Sequence, residues 1–452
     1  MAIQRHEIVE YDEAGNIMAT YVSTPADNES TSRVDILLPE KPKATWKRLL
    51  DVFLPSGYPH SVTDDYLEYQ IYDSLQAFAS SIAGMLSSRA VLSSVGVGDS
   101  TASPTAALLL SVLQESAGRL ATILFAHRFG TALEPECKMY RLLADILNDF
   151  AFVLDCLSPY FPKSVRVFVL STSSILRALC GVAAGSAKAS LSAHFARWNN
   201  LGELNAKDSS QETVISLLGM LAGSVVVSWV TTPVATWTVL ILLLSVHLEM
   251  NRRAVRAVNM RTLNRQRATL VYHQLRKGKV PTPEEISKQE RIFEWDGVLR
   301  DERDCIKGYC LVGGPIQTML ATLSSKGASH AALRIPTKML EDTLTAYRDK
   351  AYILVANERR AALKETSEKQ SAAHIDSAAG RNFQVVLKTG ATPSDVLVAW
   401  WQVLALIGGE PASAMFARQI LQKNEEALNE AGWDLNIGAI ETKSSTRVSI
   451  DS

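Results

Sequence analysis

Hydrophobic and polar positions are segregated along this chain. From Thr213 to Leu248 there is no Asp, Glu, Lys or Arg. The eight residues just before, Asn205-Ala206-Lys207-Asp208-Ser209-Ser210-Gln211-Glu212, are polar apart from one alanine. At about 1.5 Å of rise per residue, one helix over 213–248 would outrun a hydrocarbon core of roughly 30 Å. Thr231-Thr232-Pro233 is the natural break, because proline opens helices and disrupts their interiors. The pattern predicts a helical hairpin that crosses a bilayer, over Thr213–Val230 and Val234–Met250. A buried pair of helices in a soluble protein is the alternative.

From Tyr66 to about Leu275 the pattern stays helical and rich in Ala, Ser and Gly, with helices predicted over Asp73–Val95, Pro104–Ala126, Tyr140–Leu157 and Ser164–Ala193. Gly181 and Gly185, like Gly219 and Gly223, stand one turn apart, the spacing at which helices approach closely in lipid. A faint repeat sets Leu75–Gly84 beside Leu176–Gly185, and Gln114-Glu115-Ser116 beside Gln211-Glu212-Thr213. Duplicated helical units recur in transporters; chance likeness among small-residue helices explains the match equally well.

Nearer the start, His6–Val22 alternates like a β-hairpin around Ala14-Gly15-Asn16, Ser23–Ser32 reads as a loop, and Pro42, Pro55 and Pro59 mark a turn-rich approach to the helices. Past Arg276 the composition changes. Pro281–Arg303 is charged and linker-like, strands are predicted over 351–356 and 383–388, helices over Pro393–Ile407 and Ser413–Ala431, and a strand over Trp433–Ile440. The expected fold class is mainly α: a multi-helix, membrane-associated bundle rich in small residues, followed by a small α/β (α+β) C-terminal domain. The expected divisions are a hairpin and flexible segment over 1–45, the helical membrane domain over 46–275, a charged linker over 276–340, the C-terminal domain over 341–440, and a loose tail over 441–452.

Composition narrows the function more than it names it. A formal charge of −1 over 452 residues leaves no electrostatic footprint for nucleic acid. Five cysteines without CxxC or zinc spacing suggest reduced thiols. The first residues lack an apolar core of signal-peptide type, so insertion is expected to use internal segments. Arg197 and Lys207 before the hairpin, and Arg252, Arg253, Arg256, Arg261, Arg265 and Arg267 after it, put both its ends on the cytosolic side or its organellar equivalent. The arginines fit a headgroup-facing or solvated helix. There is no P-loop, dinucleotide fingerprint, GxSxG elbow or HExxH; Gly96-Val97-Gly98-Asp99 lacks the rest of any phosphate-binding pattern, and eight scattered histidines form no metal cluster. No catalytic residue, metal or resident cofactor is expected from these patterns, and the reaction class, if any, stays open.

Several polar residues could still carry chemistry. Arg141, Asp145 and Asp149 fall at i, i+4 and i+8, so they share one helix face, either lining a polar path or forming an ion-paired face. Glu115 and Arg119 make a second i,i+4 pair inside an apolar helix, and Arg89 interrupts another; buried, such charges require partners. Ser171-Thr172-Ser173-Ser174 and Asp208-Ser209-Ser210-Gln211 read as helix caps, with Gln211 or Glu212 closing a capping box at the second. The same helix starts would suit a phosphate, with Lys207 within reach of a phosphate or an aldehyde.

Phe53-Leu54-Pro55-Ser56-Gly57-Tyr58-Pro59 with Ser61-Val62 and Asp65-Tyr66, then Ala144-Asp145-Ile146-Leu147-Asn148-Asp149, and above all Ala206-Lys207-Asp208-Ser209-Ser210-Gln211-Glu212-Thr213, resemble the root UVB-sensitive family. Asn251-Arg252-Arg253-Ala254-Val255-Arg256 and Thr262-Leu263-Asn264 continue the likeness, which spans about Lys47–Leu275, with a looser match around Val398–Leu406 and Ala431-Gly432-Trp433. Tyr72 stands where the family commonly has Trp, and Gly202-Glu203-Leu204-Asn205 replaces its usual approach to the Lys-Asp pair.

The resemblance implies a membrane-associated protein linked to vitamin B6 homeostasis and, in plants, to UV-B tolerance, and carries over no catalytic residue; with the apolar segments, an integral, multi-pass membrane protein is expected. The expectation is transport or handling of a small anionic metabolite, with Lys207, Asp208, Gln211, Glu212, Arg141, Asp145, Asp149, Glu115 and Arg119 along its path. Pyridoxal phosphate fits as ligand or cargo, because Arg, Lys and helix N-termini suit phosphate. The partners expected are the lipid bilayer and a protein bound through the C-terminal domain. The alternatives are a membrane-anchored scaffold that recruits partners through that domain, and an enzyme with Lys207 as a Schiff-base lysine.

Overall fold

The computed structural model describes residues 6–11, 15, 17–25, 32–37, 53–94, 104–324, 333, 335–357, 381–410, 413–443 and 446–450. Gly96-Val97-Gly98-Asp99 lies outside them. The chain is mainly α, with twelve helices among the described residues and small sheets. Its contacts divide it into two units, one of 1–115, 145–177 and 188–258, the other of 116–144, 178–187 and 259–452.

The N-terminal strands β1 (His6–Tyr11), β2 (Ile17–Pro25) and β3 (Ser32–Leu37) form an antiparallel sheet in that order. The hairpin is as expected, but the expected loop does not hold over the whole of Ser23–Ser32. Its ends belong to β2 and β3, which the polar composition concealed, and 26–31 lie outside the described residues.

Six long helices follow: α1 (Tyr66–Ser94), α2 (Pro104–Leu133), α3 (Cys137–Leu157), α4 (Lys163–Phe195), α5 (Leu201–Trp229) and α6 (Pro233–Ala257). All six are where the pattern predicted, and most run further. The break falls at the expected place: Thr232 caps α6, its side chain accepting from Ala235 N at 3.3 Å, and Pro233 takes the first turn. Two other expected starts are corrected. Helix α5 begins twelve residues before Thr213, and Ser171-Thr172-Ser173-Ser174 lies inside α4, so neither serine-rich segment caps a helix.

Four helices are long and apolar enough to cross a membrane: Leu108–Leu133, Lys163–Phe195, Leu201–Trp229 and Pro233–Ala257. Only 6–22% of their apolar windows is buried, so Leu217, Leu218, Leu221 and Val225 on α5, and Ile241, Leu242 and Val246 on α6, face outward. Several polar side chains, among them Gln70, Asp73, Asp145, Asp149, Asp208 and His247, are buried instead. Water penalises that arrangement and lipid favours it.

Helix α1 is the spine of the first unit. It packs along α5 and α6, and with α3 and α6 it closes an apolar cluster of Ala83, Leu86, Phe152, Cys156, Leu240 and Leu244. Close approach to α5 depends on glycine. A Cβ at Gly219 would lie 2.6 Å from Ser81 Cβ, and one at Gly223 would lie 2.9 Å from Met85 Cγ. By contrast, a Cβ at Gly181 or Gly185 would meet nothing within 4 Å among the described residues.

The second unit is centred on α11 (Pro393–Gly408), apolar all round and buried, and too short to span a bilayer. A Thr392–Asp395 capping box starts it and Gly409, at φ 72°, ends it. Trp400 Nε1 donates to Thr269 Oγ1 and Trp401 Nε1 to Ala268 O, both at 3.0 Å, which fixes α11 against α7 (Arg265–Arg276). In the sheet, β8 (Arg381–Lys388) pairs antiparallel with β7 (Tyr352–Asn357) and parallel with β6 (Ile306–Val312) and then β10 (Arg447–Val448), while β5 (Val298–Arg300) adds to β6. The stretch 276–340, expected as a linker, thus supplies two strands. The tail supplies a third through β10 and buries Thr442. Helix α12 (Ala414–Glu430) and strand β9 (Asp434–Ala439) match their expected positions, with β9 pairing parallel to β4 (Thr262–Asn264).

Candidate functional site: a buried polar track

Gln70, Asp73, Gln76, Ser80 and Ser87 recur at three- and four-residue steps or their sum along α1, a stripe about 25 Å long on one side of the helix. All are buried except Ser80, which is half-buried. Successive members reach different neighbours. Gln70 Nε2 donates to Asp208 Oδ1 of α5 at 3.0 Å; Ser80 Oγ accepts from Asn148 Nδ2 of α3 at 3.3 Å; Ser87 Oγ donates to Asp155 Oδ2 of α3 at 2.7 Å and accepts from Arg177 Nη2 of α4 at 2.9 Å. Arg177 also pairs with Asp155, and Gln76 donates to Asp73.

The motif over Lys207–Glu212 lies in the second and third turns of α5. Its side chains therefore serve packing partners rather than the helix start. Buried Asp208 takes Lys188 of α4 at 2.7 Å, and the same ammonium reaches Glu212 at 2.6 Å. Gln211 Nε2 donates to Phe53 O at 2.6 Å, and Glu203 Oε1 accepts from Ser56 N at 2.7 Å. The motif thus holds the Phe53–Pro59 segment against α5, joining two of the sequence signatures. Lys207 itself is half-buried. The cation on Asp208 and Glu212 is Lys188, which a reading by sequence neighbourhood passes over.

Asp145 and Asp149 are both buried, one turn apart on α3, and they meet α6. His247 Nδ1 lies 2.7 Å from Asp149 Oδ1 and its Nε2 lies 3.4 Å from Asp145 Oδ2; Asn251 Nδ2 donates to Asp145. His247 is 1% exposed. Arg141, counted with the second unit, is buried as well. Glu115 and Arg119 are exposed on α2, the first counted with the first unit and the second with the second.

Two further arrangements were not legible. His194 Nε2 meets Asp65 Oδ2 at 3.0 Å, and Thr63 donates to the same carboxylate. Arg89 has a structural duty: its Nη1 donates to Val227 O and Val230 O at the end of α5, at 2.9 and 2.6 Å, and its Nη2 to Thr236 Oγ1 at 3.0 Å. A cation satisfying orphan carbonyls at a helix C-terminus is favoured by both hydrogen bonding and the helix dipole. Among the described residues no group of three or more His, Cys, Asp or Glu could hold a metal ion.

The second unit has its own charge network. Glu290 receives Lys138 and Arg267, each at 2.6 Å, with all three side chains buried. Burial pushes the Glu290 carboxyl up, but the two cations outweigh it and hold it below the usual range. Asn264 caps α7 by accepting from Arg267 N at 2.9 Å and donates to Glu136 Oε2 at 3.1 Å, which explains the Thr262-Leu263-Asn264 signature structurally. Asp296 is held at about 2: Arg265, Lys443 and Thr442 overcome its burial. Burial pushes the Cys310 thiol up to about 12, and no disulfide joins the five cysteines.

Residues 39–278 match the family described as the vitamin B6 photo-protection and homoeostasis domain. The chain is 39% identical over 292 residues to "RUS family member 1" of Dictyostelium discoideum, covering 63% of this chain and 55% of that one. It is 32% identical over 370 residues to "Protein root UVB sensitive 3" of Arabidopsis thaliana, covering 80% and 75%. With "Protein root UVB sensitive 2, chloroplastic" of the same plant it shares 30% over 272 residues, covering 60% and 62%. The chain thus spans about half the length of the Dictyostelium relative. No solved structure matches.

Proposed function

This chain belongs to the root UVB-sensitive family, and from that membership we propose that it is an integral, multi-pass membrane protein acting in vitamin B6 homeostasis by passing a small anionic metabolite along the α1 track. One observation carries the reading: the first unit exposes apolar helix faces and buries, beside its apolar cluster, a row of polar pairs aligned for about 25 Å along α1. Helices that only anchor a scaffold have no need of an ionisable interior, and intramembrane ionisable residues mark pathways far more often than anchors.

Pyridoxal phosphate is the proposed cargo. Its phosphate requires cations, and the track offers Lys188 and Arg177, each now held by carboxylates that the cargo would displace. Uptake of B6 vitamers into proteoliposomes tests the reading. Accumulation above protein-free vesicles supports it. No uptake by correctly inserted protein, together with capture of a partner by the C-terminal unit, favours the scaffold. A bound-cofactor absorbance abolished by Lys207→Ala would favour an enzyme instead.

A further inference from the structure

The contact between α3 and α6 sets both ring nitrogens of one imidazole against carboxylates: His247 Nδ1 on Asp149 and Nε2 on Asp145. A neutral imidazole has one N–H and one lone pair, so between two ionised carboxylates its lone pair would face negative charge. Such an arrangement can hold one proton more than neutral histidine and two carboxylates would, as an imidazolium or as a carboxylic acid. Their protonation belongs to the cluster, not to one residue. In that state the cluster carries a net charge of −1, with Asn251 Nδ2 donating to Asp145. Asp149 Oδ2 is buried and has no hydrogen-bond partner among the described residues.

We infer that Asp145, His247 and Asp149 form a proton-binding site whose second proton loads on Asp149 Oδ2. Loading adds one O–H bond and takes the cluster from −1 to neutral; unloading returns the proton to water. Charged and polar groups stand on every helix packed around it. On α3, Arg141 lies one turn before Asp145, and Asn148 is hydrogen-bonded to Ser80. On α1, Asp73 is taken by Gln76. On α6, Glu249 is engaged by Arg252 and Arg253. On α4 and α5, Arg177 is held by Asp155, and Asp208 by Lys188 and Gln70. Burying a net charge is costly, so the charge change at this cluster can be coupled to movement of an anion along the same helices. That coupling rests on the transport reading; the proton site does not.

Infrared difference spectra of the reconstituted protein between neutral and acidic pH provide the test. The expected result is the carbonyl stretch of a protonated carboxylic acid, lost in Asp149→Asn, shifted but retained in Asp149→Glu, and unchanged in Asp155→Asn. Absence of the band in the wild type, or its persistence unaltered in Asp149→Asn, overturns the site. Vitamer uptake under an inwardly directed acid gradient separates the two readings. Gradient-driven uptake lost in Asp149→Asn supports coupling. A normal band with no uptake under any condition removes transport and leaves the proton site. Uptake without the band removes the proton site and leaves transport.

Discussion

Gly223 of α5 lies directly over Met85 of α1, so close that a methyl group on the glycine would come within 2.9 Å of Met85 Cγ. One turn earlier Gly219 makes the same approach to Ser81. The small-residue spacing at 219 and 223 is therefore a packing device, whereas the identical spacing at Gly181 and Gly185 opens on empty space among the described residues.

Enlarging these two places should have unequal effects. Gly223→Leu is expected to cost about 1–3 kcal/mol through overpacking and to lower the thermal midpoint of the detergent-solubilised protein. Gly185→Leu should leave the midpoint nearly unchanged. Intrinsic tryptophan fluorescence on heating reads both.

Glu290 links the second unit to pH. Its folded-state carboxyl titrates below the ordinary glutamate range, so its contribution to stability is complete above about pH 4.3 and is lost as pH falls through the folded value. Acid unfolding followed by the fluorescence of Trp400 and Trp401 should begin only below that range. Glu290→Gln leaves Lys138 and Arg267 facing a neutral amide, and it should cost about 3–5 kcal/mol at pH 7 while flattening the acid limb.

Lys188 is the cation that pairs with Asp208 and Glu212 of the family signature. Lys188→Gln should reduce vitamer uptake by about ten-fold or more, the loss of a charge-assisted contact of about 1.5–3 kcal/mol. Lys188→Arg should retain part of the activity. Equal loss of uptake in both, with normal insertion, would assign Lys188 to helix register alone.

Much of the fold is legible in the apolar pattern. The break before Pro233, the existence of six long helices, and the α11, α12 and β9 elements all follow from periodicity and turn residues. Helix starts are less so, because inside a polar-lined bundle Lys207–Glu212 has the composition of a cap or loop while its side chains satisfy other helices. Strands β5 and β6 were hidden in a charged stretch for a related reason: charges at their edges, such as Arg300 with Glu294 and Lys307 with Asp301, pair locally and mask the short apolar runs between them. Of the candidate site, the acids Asp145, Asp149 and Asp208 could be named from spacing and motif. Their partners His247, Asn251, Gln70 and Lys188 lie on other helices, and no local spacing signals them.

The proposal that the apolar exterior of the first unit faces lipid is tested most directly by cysteine accessibility. In a Cys305→Ser background, cysteines placed at Leu218 and Ile241 in reconstituted vesicles should react with a lipid-soluble maleimide and resist a membrane-impermeant thiol reagent added on both sides. Rapid labelling of both positions by the impermeant reagent would place these faces in water and contradict the account.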